Sequence, residues 1–183
     1  MANAVVVIDM VRGFFEEGYS LYLGSQARRI IPDVQKLLEA ELAKGSKILF
    51  LCDNHDPDDL EFEVFPRHCV AGTVETEIIP ELRGYPGEII PKKRYSAFFG
   101  STLDSRLKEL APEKIIVCGV CTDICVMHTV ANARNRDYQV EVPVELRSYL
   151  QPEGPLQRPG AYGEGAGGQA SISRAGKAPT AQV

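Results

Sequence analysis

Residues 117–129 read VCGVCTDICVMHT and place three cysteines across a change of pattern. Before the change, KIIVCG (114–119) is a short apolar run rich in β-branched residues and closed by glycine, the signature of a buried strand. After it, DICVMHTVANARNRDY supplies a helical pattern over 123–137. A strand running straight into a helix is the repeating unit of a parallel α/β sheet. Cys125 falls at the seam, either in a packed turn that happens to be rich in cysteine or as a thiol held at a helix N-terminus.

The rest of the chain repeats this alternation. AVVVI (4–8), KILFLC (47–52), EII (88–90) and QVEV (139–142) read as further strands buried on both faces. Between them, 26–43 carries Ile30, Ile31, Val34, Leu37, Leu38 and Leu42 at helical spacing with Gly45 as the stop, and 101–110 is also helical. The expected fold is three-layer α/β, a mostly parallel sheet with helices on both faces. At 183 residues, 44% hydrophobic and 25% charged, the chain is long enough for one full core. A net charge of −5, with no basic run longer than KKR, argues against a nucleic-acid surface. No apolar run reaches the ~18 residues of a membrane span. Five cysteines, an odd number without an N-terminal apolar leader, predict a reducing, cytoplasmic setting.

In parallel sheets chemistry collects at the carboxyl ends of the strands. Asp9 ends the first strand; Asp53 and His55 follow the second, Lys92 the third and Cys125 the fourth. Alone, Asp9 reads as well as a turn cap; four strand exits delivering carboxylate, imidazole, ammonium and thiol to one edge read as a site. The N–H groups of a helix N-terminus favour a thiolate and can hold an oxyanion, a carboxylate can take the thiol proton, and a lysine can balance the charge. Zinc on Cys118, Cys121 and Cys125 is the weaker alternative, because a structural site needs a fourth ligand and Cys118 lies inside a strand. Cys52, Cys69 and Cys118 read as buried thiols, and His128 as structural. Lys92 and Lys93 leave their strand on opposite sides, so only one can reach the crevice.

A second cluster lies in DNHDPDDLEFEVFPRHCVAGT (53–73). Asp53 and His55, two apart, share one face, and His68 lies beyond an acidic loop. The set suits zinc, iron or manganese; the other reading is a solvated acidic loop with two surface histidines.

Together VVVIDM, D-x-H…E…FPxHCVxGT, KxRYSAF and GVCTDICV resemble, in order and spacing, the isochorismatase-like superfamily of cysteine hydrolases over about residues 4–143, with nicotinamidases the nearest match. The resemblance implies a triad of Asp9, Lys92 and Cys125, with Lys92 chosen over Lys93 because it stands three residues before Tyr95. It implies a cis peptide between Val120 and Cys121 and an oxyanion hole from the N–H groups of Cys121 and Cys125. It further implies one divalent metal, zinc first, on Asp53, His55, His68 and Glu61, and a flat-ring slot lined by Phe14, Phe65 and Tyr95. The implied activity is hydrolysis of nicotinamide to nicotinate and ammonia; the rivals are a ureido-acid or isochorismate hydrolase of the same superfamily and an inactive binding protein. The expected partner is a small amide, with no nucleic acid or membrane, taken by a homo-oligomer.

The resemblance stops after VEVPV. Residues 145–183 are rich in Gly, Pro, Ala and Ser without apolar periodicity, so the domain is set at 1–144 and the remainder is read as an aberrant tail with the family's last strand and helix disrupted. Codons can be chosen for residues 146–169 that, read one nucleotide later, encode a family-like strand and helix, which makes a shifted reading frame the sharper account.

Overall fold

The computed structural model describes residues 2–146. The boundary at 144/145 falls within a 3₁₀ turn, Val144–Leu146, whose Leu146 is buried; the tail beyond it and the question of a shifted frame lie outside the described residues.

Five parallel strands form one sheet in the order β3-β2-β1-β4-β5. β1 (Ala4–Ile8) is central, flanked by β2 (Lys47–Asp53) and β4 (Ile115–Gly119), with β3 (Glu88–Lys92) and β5 (Val140–Glu141) at the edges. The register pairs Val6 with Leu49 on one side and with Val117 on the other. Side chains alternate across the pleat, so β1 feeds both layers. Val5 and Val7 pack with Ile31, Val34 and Leu38 of helix α2 (Ile31–Ala43), behind the short helix α1 (Arg12–Phe15). Ala4, Val6 and Ile8 pack on the other side with Leu103 and Leu107 of α3 (Leu103–Leu110) and Ala133 of α4 (Met127–Arg134). The result is the expected three-layer α/β architecture.

Three expectations need correction. The edge strands are not buried on both faces: β3 exposes Glu88, Ile89 and Pro91 and buries only Ile90 and Lys92, and β5 is half-buried or exposed. A third strand on one side only cannot cover both faces, and Pro91 suits an edge because it has no N–H to give to a further strand. The helix expected from residue 26 begins as a 3₁₀ turn, Ala27–Ile30, and becomes α-helical only at Ile31, where Pro32 sits in the first turn. Finally, the helix expected over 123–137 opens with a single π turn, Thr122–Val126, and runs as α4 only to Arg134.

The chain passes outward from β1 to β2 to β3, then crosses back so that β4 lies on the other flank of β1. The strand order reverses there, and a crevice opens at the carboxyl ends of β1 and β4. Gly119 is fixed by this crowding: its φ is +111° and a Cβ would stand 2.0 Å from the carbonyl oxygen of Ile8.

Candidate active site

Each side chain at the crevice takes its place from a strand end. In β3 alternation turns Lys92 inward with Ile90, while Lys93 turns out to an exposed ion pair with Asp56 at 2.6 Å. Register sets Asp53, the last residue of β2, directly beside Lys92. Asp9 leaves β1 with a left-handed φ of 53°, which suits a short polar residue at a sharp exit. Cys125 hangs from the π turn after β4, where the N–H groups of Ile124 and Val126 both bond the carbonyl of Cys121, at 3.1 Å each. The Val120–Cys121 peptide is cis.

These groups meet around one ammonium. Lys92 Nζ lies 2.5 Å from Asp53 Oδ1, 2.9 Å from Asp9 Oδ2 and 3.5 Å from Cys125 Sγ. The Asp9 contact is an ion pair without hydrogen-bond alignment, which leaves Oδ2 with no hydrogen-bond partner in a buried setting. Asp9 Oδ1 instead accepts the backbone N–H of Asp53 at 3.0 Å. An oxygen of Asp9, an oxygen of Asp53 and Cys125 Sγ all lie within 4.8 Å of one another.

The charges follow from this crowding. Burial and the neighbouring Asp53 push the Asp9 carboxyl up to about 7, against the pull of Lys92. Burial opposes ionisation of Asp53 as well, but Lys92 and His55 outweigh it and hold that carboxyl well below its usual range. Burial pushes the Cys125 thiol well above its ordinary value, with Lys92 opposing and Asp9 reinforcing. The helix-terminus argument alone favours a thiolate; burial here favours the neutral thiol, beside the raised carboxyl of Asp9. Lys92 remains charged, because two carboxylates outweigh its desolvation.

Beside this triad lies a cradle of ligand-type atoms. His55 and Val70 form an isolated bridge that brings together the ends of the acidic loop, so the rings of His55 and His68 sit 4.7 Å apart. His55 Nε2 lies 3.5 Å from Asp53 Oδ1 and 3.9 Å from Glu61 Oε1, and His68 Nε2 lies 3.9 Å from Asp53 Oδ2 and from Glu61 Oε1. The far nitrogens are engaged, His55 Nδ1 with Asp59 at 3.1 Å and His68 Nδ1 with the carbonyl of Pro66 at 2.7 Å, which directs both Nε2 atoms inward. Buried His55 Nε2 and Glu61 Oε2 have no hydrogen-bond partner. Two imidazole nitrogens and two carboxylates, converging with polar atoms left unsatisfied, fit a zinc, iron or manganese ion. Asp53 belongs to both halves of the site.

The alternative cysteine cluster does not assemble: Cys118 packs on the α2 side of the sheet, whereas Cys125 packs on the α3 side. Cys52, Cys69 and Cys118 are buried, and burial raises each thiol. Phe14, Phe65 and Tyr95 line the cavity over Cys125, with Phe65 and Tyr95 ring centroids 6.1 Å apart. His128 packs behind Tyr95 at 5.6 Å. Sequence reasoning missed Leu21, Leu23 and Ile124, which complete the apolar wall. It also missed Asp59, whose spacing of four from His55 was the available signal.

The family comparison now has a site to explain. The model of the isochorismatase domain matches residues 3–154. The chain belongs to the isochorismatase family. Among solved structures it is similar to N-carbamoylsarcosine amidase from Thermoplasma acidophilum, at 31% identity and TM-score 0.76 over 85% of this chain and 87% of that one. Nicotinamidase from Bacillus subtilis is 31% identical with TM-score 0.76, covering 84% and 90% of the two chains. Pyrazinamidase of Pyrococcus horikoshii in complex with zinc is 28% identical with TM-score 0.75, covering 84% and 89%. All three of these relatives are named for acting on amides. Among the described residues no helix is long and apolar enough to cross a membrane.

Proposed function

We propose that the chain is a metal-dependent amidase that hydrolyses nicotinamide to nicotinate and ammonia through a thioester on Cys125. The observation that carries this reading is the meeting of Cys125 Sγ, Asp9 and Lys92 directly beside the Asp53–His55–His68–Glu61 cradle, at a cavity lined by Phe14, Phe65 and Tyr95. Asp9 takes the proton of Cys125, and the thiolate attacks the carboxamide carbon. The N–H groups of Cys121 and Cys125 face the oxygen as it gains charge. Asp9 returns the proton to nitrogen, the C–N bond breaks and ammonia leaves. Asp9 then takes a proton from water, whose oxygen attacks the thioester; the C–S bond breaks, the acid departs and the thiol is restored. Lys92 keeps a positive charge beside both carboxylates throughout. A divalent metal on the cradle, zinc first and iron or manganese next, would supply a Lewis acid that orients the ring of the amide rather than making the nucleophile.

The lining favours a neutral ring over an anionic ureido acid. Its titratable members include Asp9, Asp53 and Glu61, and the ammonium beneath them is already matched by two carboxylates. Among the described residues the lining offers no lysine or arginine to pair with a substrate carboxylate. Ammonia release from nicotinamide, pyrazinamide and N-carbamoyl amino acids, with and without a chelator, tests the reading. Turnover of the ring amides that chelation suppresses and zinc restores is expected. Preference for an N-carbamoyl acid, or full activity after exhaustive chelation, would overturn it.

A further inference from the structure

Asp59 holds three partners at once. Its Oδ2 lies 3.1 Å from His55 Nδ1, its Oδ1 accepts the backbone N–H of Glu61 at 2.9 Å, and Arg94 Nη1 donates to its two oxygens at 2.8 and 2.9 Å. Its side chain is 3% exposed, so the carboxylate is committed to these partners rather than to water. Two of the four groups converging on the cradle therefore take their position from one carboxylate. His55 can offer the Nε2 lone pair only when Nδ1 keeps the proton and the ring is held at one angle, and a hydrogen bond from Nδ1–H to Asp59 does both. Glu61 is seated by the bond from its own backbone. Arg94 clamps Asp59 from outside, and its carbonyl oxygen accepts from Lys92 Nζ at 3.4 Å, so this one residue reaches both halves of the site.

We propose that Asp59, clamped by Arg94, is the positioning residue of the cradle: it turns His55 Nε2 toward the metal and seats Glu61 beside it, so metal affinity depends on two side chains that do not touch the metal. The inference rests on the reading of Asp53, His55, His68 and Glu61 as metal ligands. The plainer role for Asp59 is to cap the 3₁₀ turn Leu60–Glu63, whose second amide, that of Glu61, it accepts. A cap governs stability; a positioning residue governs affinity for the ion, and Arg94→Met separates the two because it leaves the capping bond in place.

The test is a titration of the full-length protein, stripped of metal, with Zn²⁺ against a chromophoric chelator. Asp59→Ala is expected to weaken zinc binding by roughly 10–100-fold. Asp59→Asn, which keeps an acceptor oxygen but loses the charge that holds Arg94, should fall between Asp59→Ala and wild type, and Arg94→Met should show a smaller loss with the near-ultraviolet circular dichroism of the wild type. If Asp59→Ala does not fold, Arg94→Met alone decides. Wild-type zinc affinity in Arg94→Met and in folded Asp59→Ala would overturn the proposal while leaving the metal reading intact. Failure of the wild-type protein to take up zinc would remove the ligand reading and this proposal with it.

Discussion

Buried carboxylates occur at both ends of the sheet, and the two ends treat them in opposite ways. At the amino end, Glu41 near the close of α2 receives Asn3 Nδ2 at 2.9 Å, Ser46 Oγ at 2.6 Å and Lys44 Nζ at 2.8 Å. At the carboxyl end, Asp9 Oδ2, His55 Nε2 and Glu61 Oε2 are buried without a hydrogen-bond partner. Burial opposes ionisation of Glu41, but its three donors outweigh it and hold the carboxyl at about 2, whereas Asp9 is pushed up to about 7. A satisfied buried charge fastens the end of α2 to the starts of β1 and β2. An unsatisfied one retains capacity to bind an ion or move a proton, at a cost in stability.

The largest break in this contrast is at Cys125. Cys125→Ala should lower ammonia release by roughly 10⁴-fold or more, as loss of a nucleophile does, while the fold persists because a small atom is removed. Steady-state kinetics with the amide panel checks this, and activity within about tenfold of wild type would return Cys125 to the cysteine-rich turn reading.

Lys92 and Lys93 offer the next test, being adjacent residues on opposite sides of one edge strand. Lys92→Met strips the counter-ion from two buried carboxylates and should cost about 3–5 kcal/mol of stability along with turnover. Lys93→Met removes a pair whose members are about half exposed, 50% and 55%, and should change stability by about 0–1 kcal/mol with turnover kept. Urea denaturation with parallel assays measures both. Comparable losses for the two variants would mean that strand alternation does not set which lysine enters the crevice.

How far the sequence could be read follows from where its signals are local. Ala4–Ile8 matches the expected strand because five consecutive apolar residues leave no other period. The three-residue signal EII could not show that β3 is an edge, since exposure of Ile89 and Pro91 depends on which strands lie beyond it. The gathering of Asp9, Asp53, Lys92 and Cys125 was legible because each closes or follows a strand, and the topology gathers strand ends. Asp53, His55 and His68 were legible as a cluster of unusual composition. Leu21, Leu23 and the clamp of Arg94 on Asp59 were not, because they arise when loops fold back, and no local pattern encodes that approach. The π turn holding Cys125 is a displaced register within a helical pattern, and periodicity alone sees only the helix.

The smallest predicted effect lies at the amino end, where a buried carboxylate has a purely structural task. Glu41 titrates ordinarily near 4.5 and is held at about 2 in the fold, so its ionised form is the one the native state favours. Its contribution is fully present above pH ~4.5 and is lost as pH falls toward about 2. Glu41→Gln keeps the shape and one acceptor but turns the other into a donor facing Asn3 Nδ2, Ser46 Oγ or Lys44 Nζ. At neutral pH the loss should be about 1–3 kcal/mol, the cost of leaving a buried partner unmatched. Chemical denaturation of both proteins from pH 7 to pH 3 should show the gap narrowing below pH ~4.5, as Glu41 of the unfolded chain takes up a proton that the folded chain refuses. Per-molecule turnover should stay at the wild-type level, because Glu41 sits at the opposite end of β2 from Asp53. A gap that stays constant with pH would mean that shape, not charge, holds this corner. A fall in turnover without unfolding would mean that the two ends of the sheet are coupled, and the division between a satisfied structural end and a reactive one would fail.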